Sequence, residues 1–221
     1  MNILVIAPHP DDETLGCGGC LLKHKDQGDK LFWLIMTKMS ARTGYTEDQI
    51  RVRSEEINKV AGVYDMMKVF YSDFVTTTLD TVPRLALTHA VENVVREVQP
   101  NVVYLPNRSD AHSDHRLTFD ATMSSIKTFR NSSIKRALMY EVLSETEFAP
   151  PLPSEAFVPN GFSDITTYLE KKIEIMCTYR SEMKPHPFPR SEEGIRALAT
   201  FRGAMSGFKY AESFMVLRDI W

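Results

Sequence analysis

Asn2-Ile3-Leu4-Val5-Ile6-Ala7 leads without a break into Pro8-His9-Pro10-Asp11-Asp12-Glu13, and this junction decides the fold. The stretch from Ile3 to Ala7 is wholly apolar and stops at a proline. A short continuous apolar run suits a strand covered on both faces of a sheet. The same type recurs at Leu31-Phe32-Trp33-Leu34-Ile35-Met36 and at Val102-Val103-Tyr104-Leu105. Pro100-Asn101 and Pro106-Asn107 bracket the last of these, and both are strong turn signals. Residues 14–27 and 47–62 read as helices, the second ending at Gly62. Leu87, Val91, Val94, Val95 and Val98 fall on one face of a third. Strand and helix in alternation predict an α/β fold: a Rossmann-like, mostly parallel sheet with right-handed crossovers and helices on both faces.

Beyond residue 140 the pattern is less regular. Ala137–Leu143 reads as a strand, Pro150, Pro151, Pro153 and Pro159 mark loop, and 164–180 reads as helix. Pro185, Pro187 and Pro189 interrupt the chain around His186; a helix over 191–205 and a strand over Phe214–Leu217 follow. No shift in composition divides the chain, so residues 1–221 are expected to form one domain. Hydrophobic residues make up 43% and charged residues 25%, and the formal net charge of −3 argues against a nucleic-acid partner. No apolar run approaches the roughly 18 residues of a membrane helix, so no integral membrane segment is expected. The N-terminus has no basic region ahead of its apolar run and reads as a strand rather than a signal peptide. Cys17, Cys20 and Cys177 cannot all pair within the chain, which fits a reduced, cytoplasmic protein.

Ligands of open α/β sheets bind outside the carboxyl ends of the strands. Two polar clusters sit at such ends: Pro8-His9-Pro10-Asp11-Asp12-Glu13 after the first strand, and Asp110-Ala111-His112-Ser113-Asp114-His115 after the strand at 102–105. Imidazole and carboxylate are the donors zinc takes, and a catalytic site keeps three protein ligands and one open position. His9, Asp12 and one histidine of the second cluster complete that set. A neighbouring carboxylate can then act as general base on the metal-activated water.

In these motifs the chain resembles the PIG-L/LmbE-like family of zinc de-N-acetylases. The family's (Ala/Pro)-His-Pro-Asp-Asp-Glu stands here as Pro8–Glu13, and its His-x-Asp-His as His112-Ser113-Asp114-His115. Looser likeness extends through Arg53-Ser54-Glu55-Glu56 and Tyr210-Ala211-Glu212-Ser213-Phe214. The resemblance implies that His9, Asp12 and His115 hold one Zn2+ per chain, another divalent metal being the alternative. It makes Asp11 the general base and lets His112 stabilise the oxyanion or protonate the leaving amine. Asp114 then orients His112, and Arg53 contacts substrate. The implied reaction removes an N-acetyl group from an amino sugar or small sugar conjugate and releases acetate. Relatives of this type often form homo-oligomers.

Competing readings remain at several positions. Ser113 and Asp114 could serve only as caps of a helix beginning near His115. Asp114 beside His112 is expected to raise the pKa of that imidazole. Glu13 either complements the positive end of the first helix or supports the site. On a charged helix Arg53 by itself reads as a surface residue. His186 is as well explained by a solvated loop as by the mouth of a site, and His24 and His89 read as ordinary helix residues. Cys17-Gly18-Gly19-Cys20 has the spacing of a redox dithiol, but close backbone packing with two buried thiols explains it better. Gly16-Cys17-Gly18-Gly19 hints at a dinucleotide fingerprint, yet Leu21 stands where the third glycine belongs. Two other functions stay open: hydrolysis of a different small acyl amide, and nucleotide binding without chemistry.

Overall fold

Ile3, Val5 and Ala7 enter one hydrophobic core, whereas Leu4 and Ile6 enter a second on the opposite side of the sheet. Successive side chains of a strand point to opposite faces, so an unbroken apolar run is what a strand between two cores requires. The computed structural model describes residues 1–221. Its elements run β1 (Asn2–Ala7), α1 (Asp12–Asp26), β2 (Lys30–Lys38), α2 (Glu47–Tyr64), β3 (Met66–Val75), α3 (Arg84–Val98) and β4 (Val102–Pro106). They continue as α4 (Ser113–Ser125), β5 (Arg136–Tyr140), β6 (Gly161–Asp164), α5 (Leu169–Met176), α6 (Glu192–Ser206) and β7 (Ala211–Asp219). The seven-stranded sheet has the order β3-β2-β1-β4-β5-β7-β6. The first five of these pair in parallel, and β7 runs antiparallel to both β5 and β6. Helices α1, α2, α5 and α6 cover one face, and α3 and α4 the other.

Strand order reverses between β1 and β4. From β1 the chain winds outward through β2 and β3, then returns and winds the other way through β4 and β5. Ligands of doubly wound sheets lie at this switch point, and both polar clusters leave the sheet there.

Several bounds differ from those the sequence predicts. The helix over 164–180 is only Leu169–Met176, because Gly161–Asp164 pairs with the last strand. That last strand spans Ala211–Asp219 rather than Phe214–Leu217. The long strand β3 has no counterpart in the sequence reading. It is one of the sheet's two outer strands, and its exposed and half-buried residues never form a continuous apolar run.

Helix α1 is kinked at Cys17, whose backbone leaves the helical region. The kink frees the amides of Gly19 and Cys20, and both donate to the Glu212 carboxylate, at 2.7 and 2.8 Å. Lys172 balances that buried charge, its ammonium donating to Glu212 at 2.7 Å and to the Leu15 carbonyl at 2.8 Å. A Cβ on Gly16 would stand 2.2 Å from the Tyr140 ring, and one on Gly19 would stand 2.6 Å from Ile165. The glycines therefore let α1 lie against the sheet and α5, while Cys17 and Cys20 are buried free thiols.

Candidate active site

Loop geometry after β1 is fixed from three sides. The Pro8 carbonyl accepts from the Thr37 amide and hydroxyl at 3.1 and 2.8 Å, tying the loop to β2. The His9 amide donates to the Asp12 carboxylate at 2.9 Å. Asp11 has φ 125°, a conformation that side-chain-bearing residues rarely adopt. Glu13 sustains it: fully buried, its carboxylate accepts from the Asp11 amide at 2.9 Å, from Tyr179 at 2.9 Å and from Thr14 at 2.6 Å. Burial pushes the Glu13 pKa up to about 7 against those hydrogen bonds. Glu13 thus supports the site directly.

His9, Asp12 and His115 converge. The Asp12 Oδ2 atom lies 3.4 Å from His9 Nδ1 and 3.3 Å from His115 Nε2. Donors bound tetrahedrally to zinc at about 2.0–2.2 Å sit about 3.3–3.6 Å apart, so the spacing fits a shared ion. His115 Nδ1 faces Asp110 at 2.8 Å, while its Nε2 is buried without a hydrogen-bond partner. A pre-oriented nitrogen that makes no hydrogen bond yet stands between a carboxylate and an imidazole could serve as a metal ligand. His9 Nε2 meets Asp114 at 3.1 Å, which likewise turns Nδ1 toward Asp12. Burial opposes charge on His9, yet the carboxylates of Asp114 and Asp12 outweigh it and lift its pKa to about 9. His115 is raised in the same way by Asp12 and Asp110. Burial also opposes ionisation of Asp12, but the two imidazoles hold its carboxyl below the usual range.

Asp110 is a site residue to which the sequence reading gave no role. It binds His115 and is itself fixed by Asn107 at 2.7 Å and Thr146 at 2.6 Å. Its place inside the second polar cluster was the available signal.

His112 is the N-cap of α4, its Nδ1 accepting from the Asp114 amide at 3.1 Å. The competing reading of Ser113 and Asp114 as caps of that helix is thereby set aside. The Asp114 carboxylate turns instead to His9 and to the amides of Thr77, at 2.7 Å, and Leu79. It stands 4.0 Å from His112 Nδ1. The pKa of His112 is accordingly lowered to about 4, by burial first and then by the charges of His9 and His115, which outweigh Asp114. The expected rise is overturned. That lowering favours the neutral imidazole, and because Nδ1 accepts from the Asp114 amide its proton then sits on Nε2.

Arg53 is buried rather than at the surface. Its guanidinium donates to the Pro10 carbonyl at 3.0 Å and to Ser181 at 2.9 Å, and pairs with Glu182 and Glu56. Arg190, also unnoticed in the sequence, lies 3.0 Å from Asp11 and 3.2 Å from Glu182. A cavity of about 470 Å³ opens onto these residues. His9, Asp11, Asp12, His112 and His115 line it, together with Tyr45, Tyr71, Ser54, Asp73 and Thr77. His186 is exposed and does not line it.

A doubly wound sheet whose switch point gathers two imidazoles and a carboxylate, with a second carboxylate beside them, defines an α/β protein with a donor group that could hold a metal ion. The chain belongs to the PIG-L family, described as GlcNAc-PI de-N-acetylase, whose model matches residues 4–126. It is 27% identical to the diacetylchitobiose deacetylase of Thermococcus kodakarensis, over all of this chain and 84% of that one. It is 24% identical to a probable N-acetyl-alpha-D-glucosaminyl L-malate deacetylase of Bacillus anthracis, over 82% of this chain and 81% of the relative. The solved N,N'-diacetylchitobiose deacetylase of Pyrococcus horikoshii superposes with a TM-score of 0.76 at 24% identity. That match covers 98% of this chain and 83% of the other. The chain is a deacetylase, a hydrolase of amide bonds.

Proposed function

We propose that this deacetylase removes the N-acetyl group of an amino sugar or a small sugar conjugate, with zinc held by His9, Asp12 and His115. The spacing of those donors around the unpartnered His115 Nε2 carries the reading. A bound divalent ion supplies Lewis acidity and brings the pKa of water from 15.7 to about 7.

The protein's own groups account for the remaining proton and charge movements. Asp11, beside the ligand set and facing the cavity, takes the proton of the attacking water. The neutral His112 donates its Nε2 proton as a hydrogen bond to the oxygen that gains negative charge at the acetyl carbon. As the C–N bond breaks, protonated Asp11 returns its proton to the leaving amine. Water adds across the amide, the acid product sheds its proton to the amine, and acetate and an ammonium group result. Asp114 keeps His9 and, through its backbone amide, His112 in place. Arg53 sits on the cavity wall, where its substrate contact remains part of the proposal.

Hydroxyl- and tyrosine-bearing walls suit a sugar, which offers hydroxyls and an apolar ring face. The carboxylates of Asp11 and Asp12 at the N-terminus of α1 disfavour a nucleotide pyrophosphate there. No helix is long and apolar enough to cross a membrane. The buried free thiols support a reducing, cytoplasmic setting. Acetate release from N-acetylglucosamine, diacetylchitobiose and N-acetylglucosaminyl conjugates by zinc-loaded protein is the test. Release from other acyl amides with none of these sugars cleaved would overturn the proposal.

A further inference from the structure

Four charged side chains from distant parts of the sequence form a ring that begins and ends on the loop after β1. Arg190 Nη1 holds Asp11 Oδ2 at 3.0 Å, and its Nη2 holds Glu182 at 3.2 Å. Glu182 pairs in turn with Arg53, which donates to the carbonyl of Pro10 at 3.0 Å. The two arginines thus grip consecutive residues, one by its backbone and the other by its carboxylate. Asp11 is also the residue whose backbone takes the uncommon φ of 125°.

The anchor of Arg190 is rigid. Arg190 directly precedes Ser191, the N-cap of α6, whose hydroxyl accepts from the Gly194 amide at 3.0 Å. The Pro189 carbonyl packs so closely on Gly194 that a Cβ there would stand 2.3 Å away. The guanidinium lies 5.6 Å from the centre of the Phe188 ring. A planar fork fixed at its stem and engaged by two carboxylates has one orientation.

We infer that Arg190 is a positioning residue for Asp11, fixing the plane of the base carboxylate by occupying Oδ2 so that Oδ1 faces the water. The inference rests on the deacetylase reading of the site only in naming what Asp11 does. A carboxylate free to rotate presents either oxygen at any angle, and about 1 Å of misplacement costs on the order of 100-fold in rate. Glu182 is the second arm of the device. It keeps Arg190 from withdrawing into solvent and couples it to Arg53.

The test combines kinetics on a sugar amide with crystal structures of metal-free parent and Arg190→Met protein. In Arg190→Met, kcat is expected to fall on the order of 100-fold while KM stays within a few-fold and zinc content is unchanged. Arg190→Lys recovers only part of the rate, since a point charge cannot serve both carboxylates. Millimolar guanidinium restores turnover to Arg190→Ala, and urea at the same concentration does not. The crystals show the Asp11 carboxylate rotated. An unchanged kcat, a loss confined to KM, loss of zinc, or an unmoved Asp11 each overturns the assignment. Should Arg190→Met fail to fold, Glu182→Gln removes one arm only and must lower kcat in the same direction. A parent protein that cleaves no sugar amide, yet shows Asp11 rotated in the variant, overturns the substrate reading and leaves the positioning role standing.

Discussion

The carboxylate of Asp110 accepts from Nδ1 of His115 at 2.8 Å, and that one hydrogen bond decides which nitrogen of His115 faces Asp12. A carboxylate behind a ligating imidazole fixes its tautomer and strengthens it as a donor. Asp110→Asn is therefore expected to weaken metal binding about 10–100-fold with His9, Asp12 and His115 all intact. Titration against a competing chelator measures this. Parent-like affinity would show that His115 is oriented by packing alone.

Asp11 and Asp12 are adjacent but face different partners, Arg190 and the two imidazoles. Asp11→Asn should keep its metal while turnover falls by about 10²–10⁴, the span of a lost general base. Asp12→Asn should lose metal first. Elemental analysis showing both variants equally depleted would remove the distinction.

His112 has a pKa lowered to about 4, so near neutrality it is uncharged, and a bound dication would push in the same direction. The sign matters for the pH profile: a group that charges only below its lowered pKa supplies no alkaline limb near neutrality. His112→Gln keeps a neutral donor and His112→Ala does not. The alanine variant should lose about 10²–10³ in kcat and the glutamine variant less, with the limbs of the profile where the parent has them. A limb that vanishes in His112→Gln would return the proton-carrying role to this residue.

In the metal-free protein His9 titrates near 9, and His115 is raised by the same kind of carboxylate partners. At pH 7 His9 is therefore protonated, Asp12 and Asp110 favour the charged form of His115, and a metal accepts only the neutral imidazole. Metal uptake at neutral pH should therefore release protons, and affinity should fall as the pH drops. Calorimetry in buffers of different ionisation enthalpy reads the release directly. Identical heats in all buffers would contradict the charged state assigned to these histidines.

Lys172 and Glu212 form a buried pair at 2.7 Å that lies outside the catalytic groups. Lys172→Met leaves the carboxylate uncompensated and should cost about 3–5 kcal/mol of stability. Chemical denaturation of the metal-free proteins measures the difference. A loss under about 1 kcal/mol would mean that the amides of Gly19 and Cys20 satisfy Glu212 unaided.

Much of this was legible before any coordinates. The doubly covered strands announce themselves because Ile3–Ala7 and Val102–Leu105 must be apolar on both sides. The group that could hold a metal is legible because its members lie in the two polar segments that follow β1 and β4. What escaped obeys no local spacing. Arg190 reaches Asp11 across 179 positions, and Asp110 lies five residues before His115, away from the i+3 and i+4 neighbours of a helix. The half-exposed β3 lacks an apolar run, and His112 reverses its expected titration because charged imidazoles crowd it.

The capture of the Gly19 and Cys20 amides by Glu212 also constrains the order of events during synthesis. The acceptor is encoded 193 positions after the first of those amides. Chains emerge N-terminus first, so every nascent form short of Glu212 holds the second half of α1 with two bare donors. The second half of α1 is thus made long before the residue that locks it. A ribosome stalled before Glu212 is added would display a helix whose far turn still exchanges its amide protons with water.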